Sequence, residues 1–290
     1  VGVFRVTTAR ATFPDPTVAG GAAPVNATCA PASGSEFPLG STATTCTATD
    51  SAGTTATCTF QVRVRQVAGL RMTNYLAFGD SITEGFLREP PGASYQPPFE
   101  LIVPELTYPA QLLSELQTNF PLQTFTVTNE GRGGEFTQGG RARIEGVITR
   151  HRPEVLLLLE GYNGLLVVQP DDTEADLRYM VRAAQVRGVM VLLATLTPVS
   201  RFRERDAPGS TNAINALNTR IRRLASTLGI APAVDLHAAF GTDESLLGSD
   251  GLHPNAAGYR RMAETFYAAI ASRFREEPTQ TLSGARVVPF

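Results

Sequence analysis

Four short blocks carry residue types that could act together on a polarised carbonyl. Ser81 stands in Phe78-Gly-Asp-Ser-Ile-Thr-Glu-Gly85, where a neighbouring base could turn its hydroxyl into a nucleophile. Asp250 stands three residues ahead of His253 in Ser249-Asp-Gly-Leu-His-Pro-Asn255. Within one loop, that spacing lets the carboxylate hold imidazole Nδ1–H, fix the tautomer and stabilise an imidazolium. Asn163, in Glu160-Gly-Tyr-Asn-Gly164, offers a side-chain amide donor. Asn129-Glu-Gly-Arg-Gly-Gly-Glu-Phe-Thr137 has enough glycine for backbone N–H groups to approach a phosphate or an oxyanion. Each block alone also reads as an ordinary turn. Together they supply a nucleophile, an oriented base and donors for a negative oxygen.

The elements around the blocks decide whether they meet. From about Tyr75 onward, short apolar strands alternate with amphipathic helices. Strands are expected at 75–79, 124–128, 155–159, 189–196 and 233–236, with helices at about 108–119, 140–151, 173–187, 211–228 and 255–275. In the third helix Leu177, Met180, Val181 and Ala184 mark one face, and Thr173 with Asp176 is expected to cap its start. Uniformly apolar strands between helices mean a parallel sheet covered on both sides, an α/β architecture. Ligands of such sheets sit beyond the carboxyl ends of the strands, and each block follows a different strand or precedes the last helix.

Composition excludes competing chemistries. The chain contains no Lys, so it has no Schiff-base lysine, no Walker-A phosphate loop and no Ser-x-x-Lys pair. Gly-x-Ser-x-Gly, Gly-x-Gly-x-x-Gly and His-Glu-x-x-His are absent too. Three Cys cannot complete a four-Cys metal site, so neither a metal nor a cofactor is expected. A net charge of −2 gives no reason to expect nucleic acid as partner, and no apolar run is long enough to span a bilayer. Of the other histidines, His151 sits between Arg150 and Arg152 at a helix end, where a cation complements the dipole. His237 lies beside Asp235 after the fifth strand, a rival base without the Asp-x-x-His spacing.

The four blocks resemble those of the SGNH hydrolases, the GDSL esterase/lipase family, over about residues 73–276. The match falls on Ser81 in Gly-Asp-Ser-Ile-Thr, Gly134 in Asn-x-x-x-x-Gly, Asn163 in Gly-x-Asn, and Asp250 with His253. Gly164 departs from the pattern, because the family often has Asp there. The resemblance implies a flavodoxin-like three-layer fold with a five-stranded parallel sheet. It also implies an esterase in which Ser81, Asp250 and His253 are catalytic and Ser81, Gly134 and Asn163 form the oxyanion hole. Substrate contacts are expected from Asp80, Arg132 and Tyr162, and from Tyr95 and Phe99 in the Pro-rich segment after the nucleophile block. A polar loop with Arg201, Arg203 and Arg205 reads as salt-bridged and solvated.

Residues 1 to about 66 have a different period. Thr54, Ala56, Cys58, Phe60, Val62 and Val64 alternate with polar residues, and a second run at 42–49 precedes them across Asp50-Ser-Ala-Gly53, a hairpin signal. Cys29-Ala-Pro-Ala-Ser-Gly-Ser-Glu-Phe-Pro-Leu-Gly40, Cys46-Thr-Ala-Thr-Asp50 and Cys58-Thr-Phe-Gln-Val resemble a hyalin-repeat (HYR) module, an immunoglobulin-like β-sandwich. This resemblance implies a Cys29–Cys46 disulfide and a Cys58 whose partner lies upstream of Val1, and the expected setting is secreted or cell-surface, in a bacterium. The expected division is a module at 1–66, a linker at 67–72, a hydrolase at 73–276 and a tail, or an edge that docks onto the module, at 277–290. The expected substrate is a short-chain carboxylic ester or an acetylated polysaccharide. An inert adhesion or carbohydrate-binding protein is the reading from another class, and the module is expected to contact another protein or the hydrolase.

Overall fold

A computed structural model describes residues 8–88 and 100–281. Tyr95 and Phe99 lie outside the described residues. The chain divides into two compact units, one running up to Gly69 and taking in residues from Glu276 on, the other spanning Leu70–Arg275.

The first unit is antiparallel β-structure. Strands β1 (Thr8–Arg10) and β3 (Glu36–Pro38) pair with each other, while β2 (Asn26–Ala30), β4 (Gly40–Thr49) and β5 (Thr55–Leu70) form a sheet whose far edge is the strand Arg275–Thr281. The hairpin turns at Asp50, whose carboxylate accepts from the N–H groups of Ala22, Ala52 and Thr54. Period-2 alternation puts Val62 and Val64 in a core with Ala9, Ala11, Phe13 and Phe37, and Phe60 packs against it. On the same side of β5, Cys58 is exposed and its thiol is free. Cys29 and Cys46, opposite each other in the β2–β4 register, are joined by a disulfide.

The second unit is built on a parallel sheet of β6 (Asn74–Gly79), β9 (Thr126–Gly131), β10 (Val155–Leu159) and β11 (Met190–Leu193), in the spatial order β11-β10-β6-β9. The fifth expected strand contracts to one parallel bridge between Ala194 and Val234, because Asp235 immediately caps a helix. With that bridge the order by chain position is 2-1-3-4-5, the doubly wound order whose switch point lies between the first and third strands. All five residues of β10 are 0% exposed, which explains a strand apolar on both faces. Around the sheet lie α1 (Ser81–Glu84), α2 (Tyr108–Asn119), α3 (Thr137–His151), α4 (Pro170–Gln185), α5 (Arg201–Asp206), α6 (Ser210–Thr227), α7 (Leu236–Phe240) and α8 (Ala256–Phe274). Helix α2 packs on α8, and α4 packs on both α3 and α6. A short hairpin, β7 (Phe86–Arg88) with β8 (Glu100–Ile102), follows α1.

Two element boundaries correct the sequence reading. β9 runs to Gly131, because its parallel pairing with β6 extends through Gly79 and draws in polar Asn129 and Glu130. Helix α4 starts at Pro170, with Gln169 as its cap residue, so Thr173 is not the cap but lies buried in the first turns. Proline suits a first helical position because its missing N–H would have no partner there.

Candidate active site

The nucleophile block is shaped by close backbone contact. A Cβ on Gly79 would lie 1.9 Å from the carbonyl oxygen of Leu159, so only glycine lets β6 and β10 end side by side. The chain then turns into α1, where Asp80 is the cap and accepts from Ile82 N–H at 3.1 Å. Ser81 follows as the first helical residue, and among the described residues its N–H has no acceptor.

Ser81 Oγ lies 2.9 Å from His253 Nε2, and His253 Nδ1 lies 2.6 Å from Asp250 Oδ2. The second carboxylate oxygen of Asp250 accepts from the N–H groups of Leu252 and His253, each at 3.0 Å, fixing the loop around the acid. Burial raises the Asp250 carboxyl, but the bonds from His253 and from Leu252 N–H outweigh it and hold the group below its ordinary value. Asp250 therefore stays an acceptor while Nδ1 donates, which leaves Nε2 to take the serine proton. Phe86 packs its ring 4.6 Å from the imidazole, and the Arg88 carbonyl accepts from Ser249 N–H, so the β7 hairpin braces the loop that carries the base.

The donors come from two other strand ends. Gly134 has φ +71°, a left-handed conformation that suits glycine, and its N–H has no acceptor among the described residues. Asn163 donates one amide hydrogen to the Glu135 carbonyl at 2.9 Å, leaving the other free. An Asp at position 164 is therefore not needed to orient the amide, which is held from the glycine-rich loop. Ser81, Gly134, Asn163 and His253 all line one cavity of about 540 Å³. Its walls are largely apolar, including Ile82, Phe86, Leu165 and Val199, with Glu84 and Arg203 as charged exceptions.

The other expected substrate contacts fall differently. Asp80 is fully buried and does not line the cavity; burial pushes its carboxyl up to about 6, against the N–H bonds it accepts. Arg132 is exposed and also outside the lining. Tyr162 does line the cavity, with its hydroxyl turned away to Thr197. His151 contacts Glu130 Oε1 at 2.7 Å, and His237 lines a separate cleft with Asp243 and Glu244.

Arg203, read as solvated, reaches the cavity wall because α5 is helical and presents it there. Three groups have no role assigned from sequence: Glu160, which is buried, and Glu135 and Arg143, whose side chains are 9% exposed. Glu160 is 1% exposed with neither oxygen paired, and burial first, then Asp80 and Glu135, hold its carboxyl well above the usual range. Arg143 sits one turn from Gly140 and from Val147, both buried positions of α3. A cation on the inward face of a helix was the available signal.

The GDSL-like lipase/acylhydrolase family model matches residues 77–261, and the HYR domain model matches residues 4–64. No curated protein matches the chain. A lipase/acylhydrolase from Enterococcus faecalis has a similar fold, with TM-score 0.58 and 24% identity over 72% of this chain and 100% of its own. A carbohydrate acetylesterase from Sinorhizobium meliloti gives TM-score 0.58 and 18% identity over 70% of this chain and 100% of its own. A variant of an acetyl xylan esterase from Geobacillus stearothermophilus gives TM-score 0.55 and 22% identity over 70% of this chain and 95% of its own.

Proposed function

The chain belongs to the GDSL-like lipase/acylhydrolase family, and from that premise we propose that it is a serine esterase acting on carboxylic esters with short acyl chains. The observation that carries this reading is the continuous chain Ser81 Oγ, His253 Nε2, His253 Nδ1, Asp250 Oδ2, with contacts of 2.9 and 2.6 Å. His253 takes the Ser81 proton as Oγ attacks the ester carbonyl, and Asp250 stabilises the imidazolium. The oxyanion is met by the N–H groups of Ser81 and Gly134 and by the free hydrogen of the Asn163 amide. The imidazolium returns its proton to the leaving alkoxide, and water, activated by the same base, releases the acid from the acyl-enzyme.

The test is stoichiometric labelling of Ser81 by an organophosphonate, with an acyl-chain-length series of nitrophenyl esters on wild type and Ser81→Ala. Labelling of Ser81 and loss of nearly all turnover in Ser81→Ala are expected; normal hydrolysis by Ser81→Ala would sink the assignment. A second reading, a carbohydrate acetylesterase, is favoured by Glu84 and Arg203 on the cavity wall, which offer charged partners to sugar hydroxyls. Faster acetate release from acetylated polysaccharide than from nitrophenyl acetate would select it. The proposed division keeps hydrolysis in residues 73–276 and the HYR-like module in 1–66. The module and its disulfide support a secreted or cell-surface setting.

A further inference from the structure

We infer that Arg143 is a positioning residue that holds the nucleophile's strand end and the oxyanion loop in one geometry. The inference rests on the serine-esterase reading above. The Arg143 side chain is 9% exposed and lies with its guanidinium 3.7 Å from the centre of the Phe78 ring. Its Nη2 donates to the carbonyl of Gly79 at 3.2 Å, two residues before Ser81, and to the carbonyl of Glu130 at 2.8 Å. Nε and Nη2 engage both oxygens of Glu135, at 2.9, 2.8 and 2.5 Å. Glu135 is the residue after Gly134, and its own carbonyl takes the Asn163 amide at 2.9 Å. Ser81, Gly134 and Asn163, brought by three separate strand ends, are thus all tethered to one planar cation.

Only a guanidinium can do this. A planar fork meets a carboxylate with two parallel bonds and still has one Nη2 hydrogen for the Gly79 and Glu130 carbonyls to share, whereas a lysine ammonium is a point charge on a flexible stem. The same cation draws the unpaired Glu160 carboxyl downward, against burial and against Asp80 and Glu135. Misplacing donors by about 1 Å can cost about 10²-fold in rate without weakening ground-state binding.

The experiment measures kcat and KM for a nitrophenyl ester with wild type, Arg143→Met, Arg143→Lys, Asn163→Ala, the double variant Arg143→Met/Asn163→Ala, and Ser81→Ala, each checked for folding by circular dichroism. Arg143→Met is expected to lower kcat about 10–100-fold with KM changed less than about threefold, and Arg143→Lys to recover only part of the loss. In the Asn163→Ala background the Arg143→Met step should cost several-fold less than in the wild type, because one of the three groups it positions is already gone while Ser81 and Gly134 remain. Fully multiplicative losses would mark Arg143 as a structural residue only and overturn the inference. If Arg143→Met does not fold, Glu135→Gln decides instead, and an unchanged kcat overturns the inference. Inactive Ser81→Ala with wild-type kcat in Arg143→Met removes this inference alone; active Ser81→Ala removes the serine reading and the inference with it.

Discussion

Asn163 shows how one side chain can be aimed from an unexpected direction. Its amide is held by the Glu135 carbonyl, not by the residue that follows it. A Cβ on Gly164 would lie 3.1 Å from Val168 Cγ2 and 3.3 Å from Val168 Cβ, so an aspartate there would have to push Val168 aside. Gly164→Asp is therefore expected to lower stability by about 1 kcal/mol without raising kcat. A several-fold gain in kcat would show that the amide is under-oriented in the wild type. Asn163→Ala should lower kcat by about 10²–10³ and leave KM within about threefold, the signature of a donor engaged in the transition state. A pure KM effect in steady-state kinetics would move Asn163 from the oxyanion to the ground state.

Helix α1 carries Ser81, the proposed nucleophile, on a cap that is itself under electrostatic load. Asp80 is fully buried, one of its oxygens is unpaired, and burial raises its carboxyl from 3.8 to about 6. A raised carboxyl binds its proton more tightly in the folded state than in the unfolded one. Ionisation therefore weakens the fold progressively as pH rises from about 4 to about 6, and above 6 the whole penalty is present. A rise of this size corresponds to ~3 kcal/mol. Asn in place of Asp keeps an oxygen that can accept from Ile82 N–H and cannot ionise. Urea unfolding at pH 4 and pH 7.5 should show Asp80→Asn gaining on wild type as pH rises, by up to ~3 kcal/mol. Parallel pH dependence of the two proteins would refute a buried, ionising Asp80.

At the scale of the molecule the chain joins two units that owe their stability to different things. The Leu70–Arg275 unit buries whole strands and long helix faces, whereas the described β-unit has a core of six buried residues. Small cores depend on cross-links, and closing a loop of this order is worth ~3 kcal/mol. Cys29→Ser/Cys46→Ser should therefore lower the unfolding temperature of the β-unit while kcat for ester hydrolysis stays within about twofold of wild type. Loss of both together in calorimetry and kinetics would show that the β-unit supports the hydrolase. No helix of the described residues is long and apolar enough to cross a membrane.

Much of this was legible in the sequence because it is local or periodic. The Asp-x-x-His spacing lies within one loop, the all-apolar β10 announces a strand buried on both faces, and alternation in β5 marks a half-buried sheet. Periodicity indicated the fold class, and the four local blocks after the strands nominated Ser81, Asn163, Asp250 and His253. The tertiary structure decided what depends on residues far apart in the chain. It brought Ser81 to His253 across 172 positions, withdrew Asp80 into the interior, shortened the fifth strand to a bridge, and set Arg143 against Gly79 and Glu135. The physical reason is that a motif encodes its own backbone turn. Burial, and the pairing of a buried cation with carbonyls from other strands, exist only once those strands lie side by side.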